Sequence, residues 1–285
     1  MRPRSRRTTR TTTTDVAGAP SDARRRLDEV APGVLVATSE VYRTTSTVLV
    51  GDDGACLLVD PGVTAQEVEG LVAAVAARGL RPLAVWSTHA HWDHRLDSPA
   101  LSHLPRWGAV ERGDDLRALT MQRDADDELA RVLAHRPDDD PAPIGPGPSV
   151  LPRRPDGLLD WPGPAVRVLV HRAHASGHTA LFLPGCGALV AGDMLSDDEV
   201  PLLDPAATDP VTDHRVALDA FAALGARLVV PGHGTVGHDV PARIAADRRY
   251  LDGLTDPAPA PDVRLRAPWL VAADAEQRAL VARHR

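Results

Sequence analysis

Between Thr88 and Arg95 the chain reads His89-Ala90-His91-Trp92-Asp93-His94, four metal-ligand side chains within six residues. Imidazole nitrogens and a carboxylate suit zinc and similar first-row divalent ions. Taken alone, the cluster is also compatible with a solvated polar loop. Three further sites argue against that reading: His178 in Ser176-Gly177-His178-Thr179, Asp193 in Ala191-Gly192-Asp193-Met194, and His233 in Pro231-Gly232-His233-Gly234. Each follows or borders a strand-like run, and side chains at strand ends can converge on one edge of a sheet.

The elements that must position these groups are legible as α/β. Val34-Leu35-Val36-Ala37 and Thr47-Val48-Leu49-Val50 precede the turn Gly51-Asp52-Asp53-Gly54, and Ala55 to Val59 completes a hairpin. Thr64-Ala65-Gln66-Glu67 is a capping box opening a helix with Val68, Leu71, Val72 and Val75 on one face, closed by Gly79. Leu83 to Thr88 is the strand that delivers the His cluster. Ser98-Pro99 has the form of a short helix start, and periodic Leu116, Leu119, Leu129, Val132 and Leu133 predict a helical excursion over 114–133. Prolines crowd 137–164, which disfavours regular structure and suits a flap or a tolerated surface insertion equally. Strands resume at Ala165–His171, Ala180–Leu183, Ala188–Ala191 and Arg227–Val230, with a helix over Asp213–Leu224. One more amphipathic helix is expected around Leu270, Val271, Leu280 and Val281, packing either locally or across a homodimer.

Composition restricts the partners. The 285 residues are 43% hydrophobic and 25% charged, enough for one large globular domain. There is no Lys and no Asn, so all 32 basic residues are Arg, a bias that points to a GC-rich bacterial coding sequence. Residues 1–26 carry eight Arg and two Asp and read as a disordered basic leader. The net charge is -7, so removing the leader's +6 leaves -13 on the remainder. Such an acidic body disfavours nucleic acid, which is bound by clustered Arg or Lys. No apolar run reaches the ~18 residues of a membrane span. Cys56 and Cys186 make no disulfide framework, and Ser5-Arg6-Arg7 lacks the apolar segment of an export signal. A cytoplasmic protein acting on a small molecule is expected, with the domain over 27–255 and the helical tail over 256–285.

The motifs His89-x-His91-x-Asp93-His94, Gly177-His178-Thr179, Gly192-Asp193 and Pro231-Gly232-His233-Gly234 together resemble the metallo-β-lactamase superfamily, in family order, from about Val34 to about Arg248. The resemblance implies a single-domain, four-layer αββα sandwich with two divalent ions, zinc foremost and iron or manganese as alternatives, at one edge. It assigns His89, His91 and His178 to the first ion, Asp93, His94 and His233 to the second, and Asp193 to both, with Asp93 in a catalytic role. The implied chemistry is hydrolysis by a bridging hydroxide at neutral pH, from two ions about 3.5 to 4 Å apart. Asp60 is expected to orient the His loop, although an Asp before Pro also suits an ordinary turn. His174 matches a His beside the Gly-His pair with a supporting role, His171 reads as a strand residue, and His103, His135, His214, His238 and His284 as surface residues. Trp92 either lines the pocket mouth or packs beneath the loop. The family commonly continues the first motif with a Gly pair, where this chain has Arg95-Leu96-Asp97.

Specific absences narrow the substrate. True β-lactamases often hold the drug carboxylate with Lys and Asn, which this chain lacks, and one subclass has Cys where Asp193 stands. Glyoxalase II resembles the ligand set but carries a larger helical addition than the tail after His233. Lactonase relatives place a Tyr shortly after the bridging Asp, where this chain has Met194-Leu195-Ser196-Asp197. The expectation is therefore a hydrolase of a small ester, thioester, lactone or related bond, its specificity set by the Pro-rich loop and residues 196–209. The alternatives are an iron-dependent redox member such as a persulfide dioxygenase, or a non-catalytic binding protein stabilised by metal.

Overall fold

The run Ala55-Cys56-Leu57-Leu58-Val59 is apolar throughout because both faces of its strand are covered. The computed structural model describes residues 25–109 and 143–283. One mixed sheet has the order β1 (Asp28–Ala31), β2 (Val34–Thr38), β3 (Thr45–Val50), β4 (Ala55–Val59), β5 (Arg81–Trp86), β6 (Arg106–Trp107). Its first four strands are antiparallel, while β5 and β6 join in parallel. The second sheet has the order β10 (Leu228–Pro231), β9 (Ala188–Gly192), β8 (His178–Leu183), β7 (Arg167–His171), with only β10 parallel to its neighbour.

Alternation along each strand feeds two different cores. Leu57, Val59, Leu181, Leu183, Val190 and Val230 meet between the sheets. Cys56, Leu58 and Val85 point outward to Val68, Leu71 and Val75 of α1 (Ala65–Ala77). Phe182, Leu189 and Val229 point the other way, to α2 (Pro210–Ala223), α3 (Val240–Gly253) and α4 (Pro268–Arg283), which bury Phe221, Ile244 and Leu280 there. Two mixed sheets thus lie between helical layers, and the tail helix packs locally on the second sheet's outer face.

Local chemistry accounts for most element ends. The capping box at α1 is formed: Thr64 Oγ1 accepts the Glu67 N–H at 3.2 Å, and the Glu67 carboxylate accepts the Thr64 N–H at 3.3 Å. Helix α2 begins before Asp213, at Pro210, because Asp209 caps the Thr212 N–H at 3.1 Å and Pro fits the first turn. Ser98-Pro99 starts successive turns rather than a helix, with Leu101 N–H on the Ser98 carbonyl and Leu104 N–H on that of Leu101. The helical excursion over 114–133 lies outside the described residues, as do His135 and His284. Arg25, at the end of the basic leader, donates to Ser46 Oγ at 2.9 Å and the Pro61 carbonyl at 3.3 Å.

Candidate metal centre

The two sheets are stitched together where the ligand-bearing segments leave them. Thr179 donates its backbone N–H and its hydroxyl to the Thr88 carbonyl at 2.7 and 2.8 Å, and Trp86 Nε1 donates to Thr179 Oγ1 at 3.0 Å. On the other side Thr45 N–H reaches the Gly232 carbonyl at 2.7 Å. The ends of β4, β5, β9 and β10 and the loop before β8 therefore share one edge. They bring Asp60, the His89–His94 segment, His174, Asp193 and His233 together.

Two groups of ligand atoms result, each with its atoms within 4.8 Å of one another: His89, His91, His174 and Asp193, and Asp93, His94 and His233. Asp193 faces both. Its Oδ2 lies 3.5 Å from His89 Nε2, 3.3 Å from His174 Nε2 and 3.4 Å from His233 Nε2, while Oδ1 lies 3.1 Å from His94 Nε2. His233 Nε2 is also 3.1 Å from Asp93 Oδ2.

The outward ring nitrogens are held by oxygen. His89 Nδ1 meets Thr88 Oγ1 at 3.1 Å, His94 Nδ1 meets Asp60 at 2.8 Å, His174 Nδ1 meets the Leu202 carbonyl at 3.1 Å, and His233 Nδ1 meets the Tyr42 carbonyl at 3.1 Å. This arrangement fixes tautomer and ring orientation and turns Nε2 toward the centre. Asp60 also accepts the Thr88 N–H at 2.9 Å and the Thr88 hydroxyl at 2.7 Å.

The gathered ligand atoms include that of His174, expected in a supporting role, and not those of His178, expected as a ligand. His178 is the first residue of β8, and both its nitrogens are engaged: Nδ1 with His171 Nε2 at 3.1 Å, Nε2 accepting the Asp193 N–H at 3.2 Å. It thus supports the Asp193 backbone, and its ring stacks on that of His89 with centroids 4.7 Å apart. His174 sits in the β7–β8 loop at φ 67°, outside the strands, with its ring over the sheet edge and Nε2 3.0 Å from His91 Nδ1.

Glycine is required where the chain crowds this centre. A Cβ on Gly232 would sit 2.0 Å from Asp193 Oδ1, and one on Gly192 2.4 Å from His178 Cε1. Beyond the first motif, Arg95-Leu96-Asp97 is built into the core: Leu96 is buried and Asp97 pairs with buried Arg106 at 2.6 Å.

The residues fit metal ions on their own chemistry. His89 Nε2, His94 Nε2 and Asp193 Oδ1 are buried, converge on one space, and find no hydrogen-bonding partner outside the centre itself, a costly state without an ion. Burial pushes His89 well below the ordinary imidazole pKa and His91 down to about 3, giving the neutral form that binds metal. Burial also opposes charge on His94 and His233, but Asp193 and the neighbouring carboxylates outweigh it and raise both well above the ordinary value. The carboxylate side of the centre therefore attracts positive charge.

A model of the metallo-β-lactamase superfamily matches residues 41–233, more than half of the chain. The chain belongs to the metallo-β-lactamase superfamily. Its structural neighbours share that fold. A metallo-β-lactamase family protein of Thermus thermophilus, TTHA1429, is 24% identical with a TM-score of 0.63, over 88% of this chain and 93% of that one. A β-lactamase domain protein from Burkholderia ambifaria is 21% identical with a TM-score of 0.62, over 93% and 90%. TTHA1623, solved in a di-iron-bound form, is 26% identical with a TM-score of 0.55, over 73% and 97%. A comparison with curated proteins gave no significant match.

A cavity of about 290 Å³ opens onto this superfamily centre. Trp92 lines it and packs edge-on against Tyr42, ring centroids 6.3 Å apart. Residues 196–209 contribute Glu199, Leu202, Leu203, Asp204 and Pro205 to its wall, and Trp269 of α4 completes it. Burial pushes Glu199 up to about 7. Sequence reasoning missed Tyr42 and Trp269, which carry no motif. Of the Pro-rich loop, the described residues 143–150 run along Asp97, Arg95 and Trp107, and none of 143–164 lines the cavity. His214 is corrected, being fully buried in α2, while His103 and His238 are exposed. Among the described residues no helix is long and apolar enough to cross a membrane.

Proposed function

We propose that this chain is a binuclear metal-dependent hydrolase of a small-molecule ester, thioester, lactone or related bond. His89, His91 and His174 would hold one ion, Asp93, His94 and His233 the other, and Asp193 would lie between them. The observation that carries the reading is the convergence of buried Nε2 and carboxylate atoms, whose outer ring nitrogens are already held by oxygen. Divalent ions bound there supply an acidified water at neutral pH and a Lewis acid for the scissile carbonyl. The chain's own groups do the rest. Asp60 and Thr88 orient His94 and His89, His178 holds the Asp193 backbone, and the cavity walls exclude bulk water from the substrate's reacting end.

The donor set contains imidazoles and carboxylates and no thiolate, which suits zinc, iron and manganese alike. A second reading is an iron-dependent redox activity; the solved form of TTHA1623 holds iron, so iron is a metal that this fold accommodates. Metal analysis of the purified protein, paired with a screen of esters, thioesters and lactones and with oxygen uptake, separates the two. Hydrolysis is expected with two ions per chain, and Asp193→Ala abolishes it. Oxygen consumption with one iron per chain and no hydrolysis would reject the hydrolytic reading.

A further inference from the structure

The cavity walls differ in character from its floor. Tyr42, Trp92, Leu202, Leu203, Pro205 and Trp269 make the wall predominantly aromatic and aliphatic. Apart from His233 at the centre, the charged residues among the described lining are acidic: the floor carboxylates Asp93 and Asp193, and higher up Glu199 and Asp204. No Arg lines the cavity among the described residues, although Arg is the chain's only cationic residue apart from protonated His. Arg43, next to Tyr42, is drawn away into a pair with Asp198 at 3.0 Å.

We infer that the site takes hydrophobic acyl compounds that carry no negative charge away from the scissile bond, a substrate class that rests on the hydrolytic reading above. The polar reacting group belongs at the floor, where the ligand nitrogens converge. The remainder of the molecule is surrounded by apolar side chains that favour its desolvation in proportion to the area covered. An anionic end held in that wall would face the Asp204 carboxylate and oppose ionisation of Glu199, with no Arg beside it to compensate, and a like charge so placed is disfavoured. A cationic end would meet carboxylates and the faces of Tyr42, Trp92 and Trp269, a favourable environment for an ammonium. The wall is asymmetric in origin: Trp269 comes from the tail helix and stays 46% exposed, so it can be covered by a ligand.

The test uses the metal-loaded full chain and a series of aryl esters with acyl chains of two to eight carbons. kcat/KM is expected to rise about fourfold per methylene, the fold-change of ~0.8 kcal/mol, until the chain reaches Trp269. Six-carbon esters ending in methyl, trimethylammonium and carboxylate then probe charge. The first two are expected within about fivefold of each other and the carboxylate at least about tenfold lower, mostly through KM. Glu199→Gln with Asp204→Asn narrows that gap, and Trp269→Ala lowers the ratio of long-chain to short-chain kcat/KM. Calorimetric binding of hexyltrimethylammonium, with and without Trp269→Ala, gives a readout that needs no turnover. Efficient hydrolysis with the carboxylate ester equal to the methyl ester would overturn the substrate class and leave hydrolysis standing. Binding that depends on Trp269 with no ester cleaved would do the reverse.

Discussion

Asp60→Asn isolates the support of the centre from the centre itself. Asp60 is buried, touches no proposed substrate, and accepts three hydrogen bonds, two on Oδ2 from Thr88 Oγ1 and His94 Nδ1 and one on Oδ1 from the Thr88 N–H. Asn has the same shape but brings one N–H₂ group. If that group takes the Oδ2 position it opposes the His94 Nδ1–H; if it takes the Oδ1 position it opposes the Thr88 N–H. His94 can escape only by moving its proton to Nε2, the nitrogen that must stay bare. A hydrogen bond to a charged group is worth about 1.5 to 3 kcal/mol. At about 1.4 kcal/mol per decade, the second ion's Kd rises roughly 10- to 100-fold, the range typical for loss of such an orienting carboxylate. Competition against a chromophoric chelator reads both affinities in one titration, and the metal-induced rise in urea midpoint should shrink in parallel. Retention of the second ion within threefold of wild-type affinity would refute the argument, because His94 would then be held by something other than Asp60.

Three further outcomes are expected. His174→Ala should lose one ion per chain by metal analysis, whereas His178→Ala should keep two and instead lose about 1 to 3 kcal/mol of folding stability, the cost of leaving the buried Asp193 N–H unpaired. Burial lowers the His214 pKa to about 3, so below pH ~6.5 the unfolded chain binds a proton that the folded one refuses, and stability falls with acidity by about 1.4 kcal/mol per unit. His214→Leu removes that slope along with two unpartnered nitrogens, and between pH 7 and pH 5 it should lose about 2 kcal/mol less than wild type in urea unfolding. Arg264→Met leaves Asp247 buried without its partner and should cost about 3 to 5 kcal/mol, read as a lower urea midpoint at pH 8.

What is legible in the chain follows from where physical signals are local. The turn Gly51–Gly54 fixes the β3–β4 register, so Thr47 opposes Val59 and Val50 opposes Cys56, and the capping box marks the start of α1. Doubly covered strands announce themselves as apolar runs. Edge elements do not: β1 is mostly polar or half-buried and β6 has two residues, so neither leaves a periodic trace. Helix α3 escapes sequence reasoning for another reason, since its Arg and Asp residues outnumber a clear apolar face, yet Arg243 and Asp247 are buried and paired. The ligand segments are visible as motifs, but the approach of His174 to His91 is not, because it depends on how the β7–β8 loop turns at His174, φ 67°.

The cavity wall depends on a part of the chain far from any motif. Residues 195–203 cross above the centre, and side chains from α3, α4 and the segment between them hold them there. Arg243 Nη1 donates to the Leu195 carbonyl at 3.1 Å, Arg264 Nη1 to the Ser196 carbonyl at 3.3 Å, and Gln277 Oε1 accepts the Leu203 N–H at 2.7 Å. Gln277 is in turn fixed by Tyr250 at 2.8 Å, and Tyr250 by Asp274 at 3.0 Å. Leu195 sits at φ 60°, a strained position for a side-chain-bearing residue that persists only when its surroundings enforce it. The tail therefore does more than cover the second sheet. It supplies Trp269 to the wall and, through Arg264 and Gln277, sets where Glu199 and Leu202 stand relative to the centre. The candidate metal ligands are thus placed by strand ends and the loops beside them, whereas the cavity wall is held by a peripheral network, so the wall can vary without disturbing the centre.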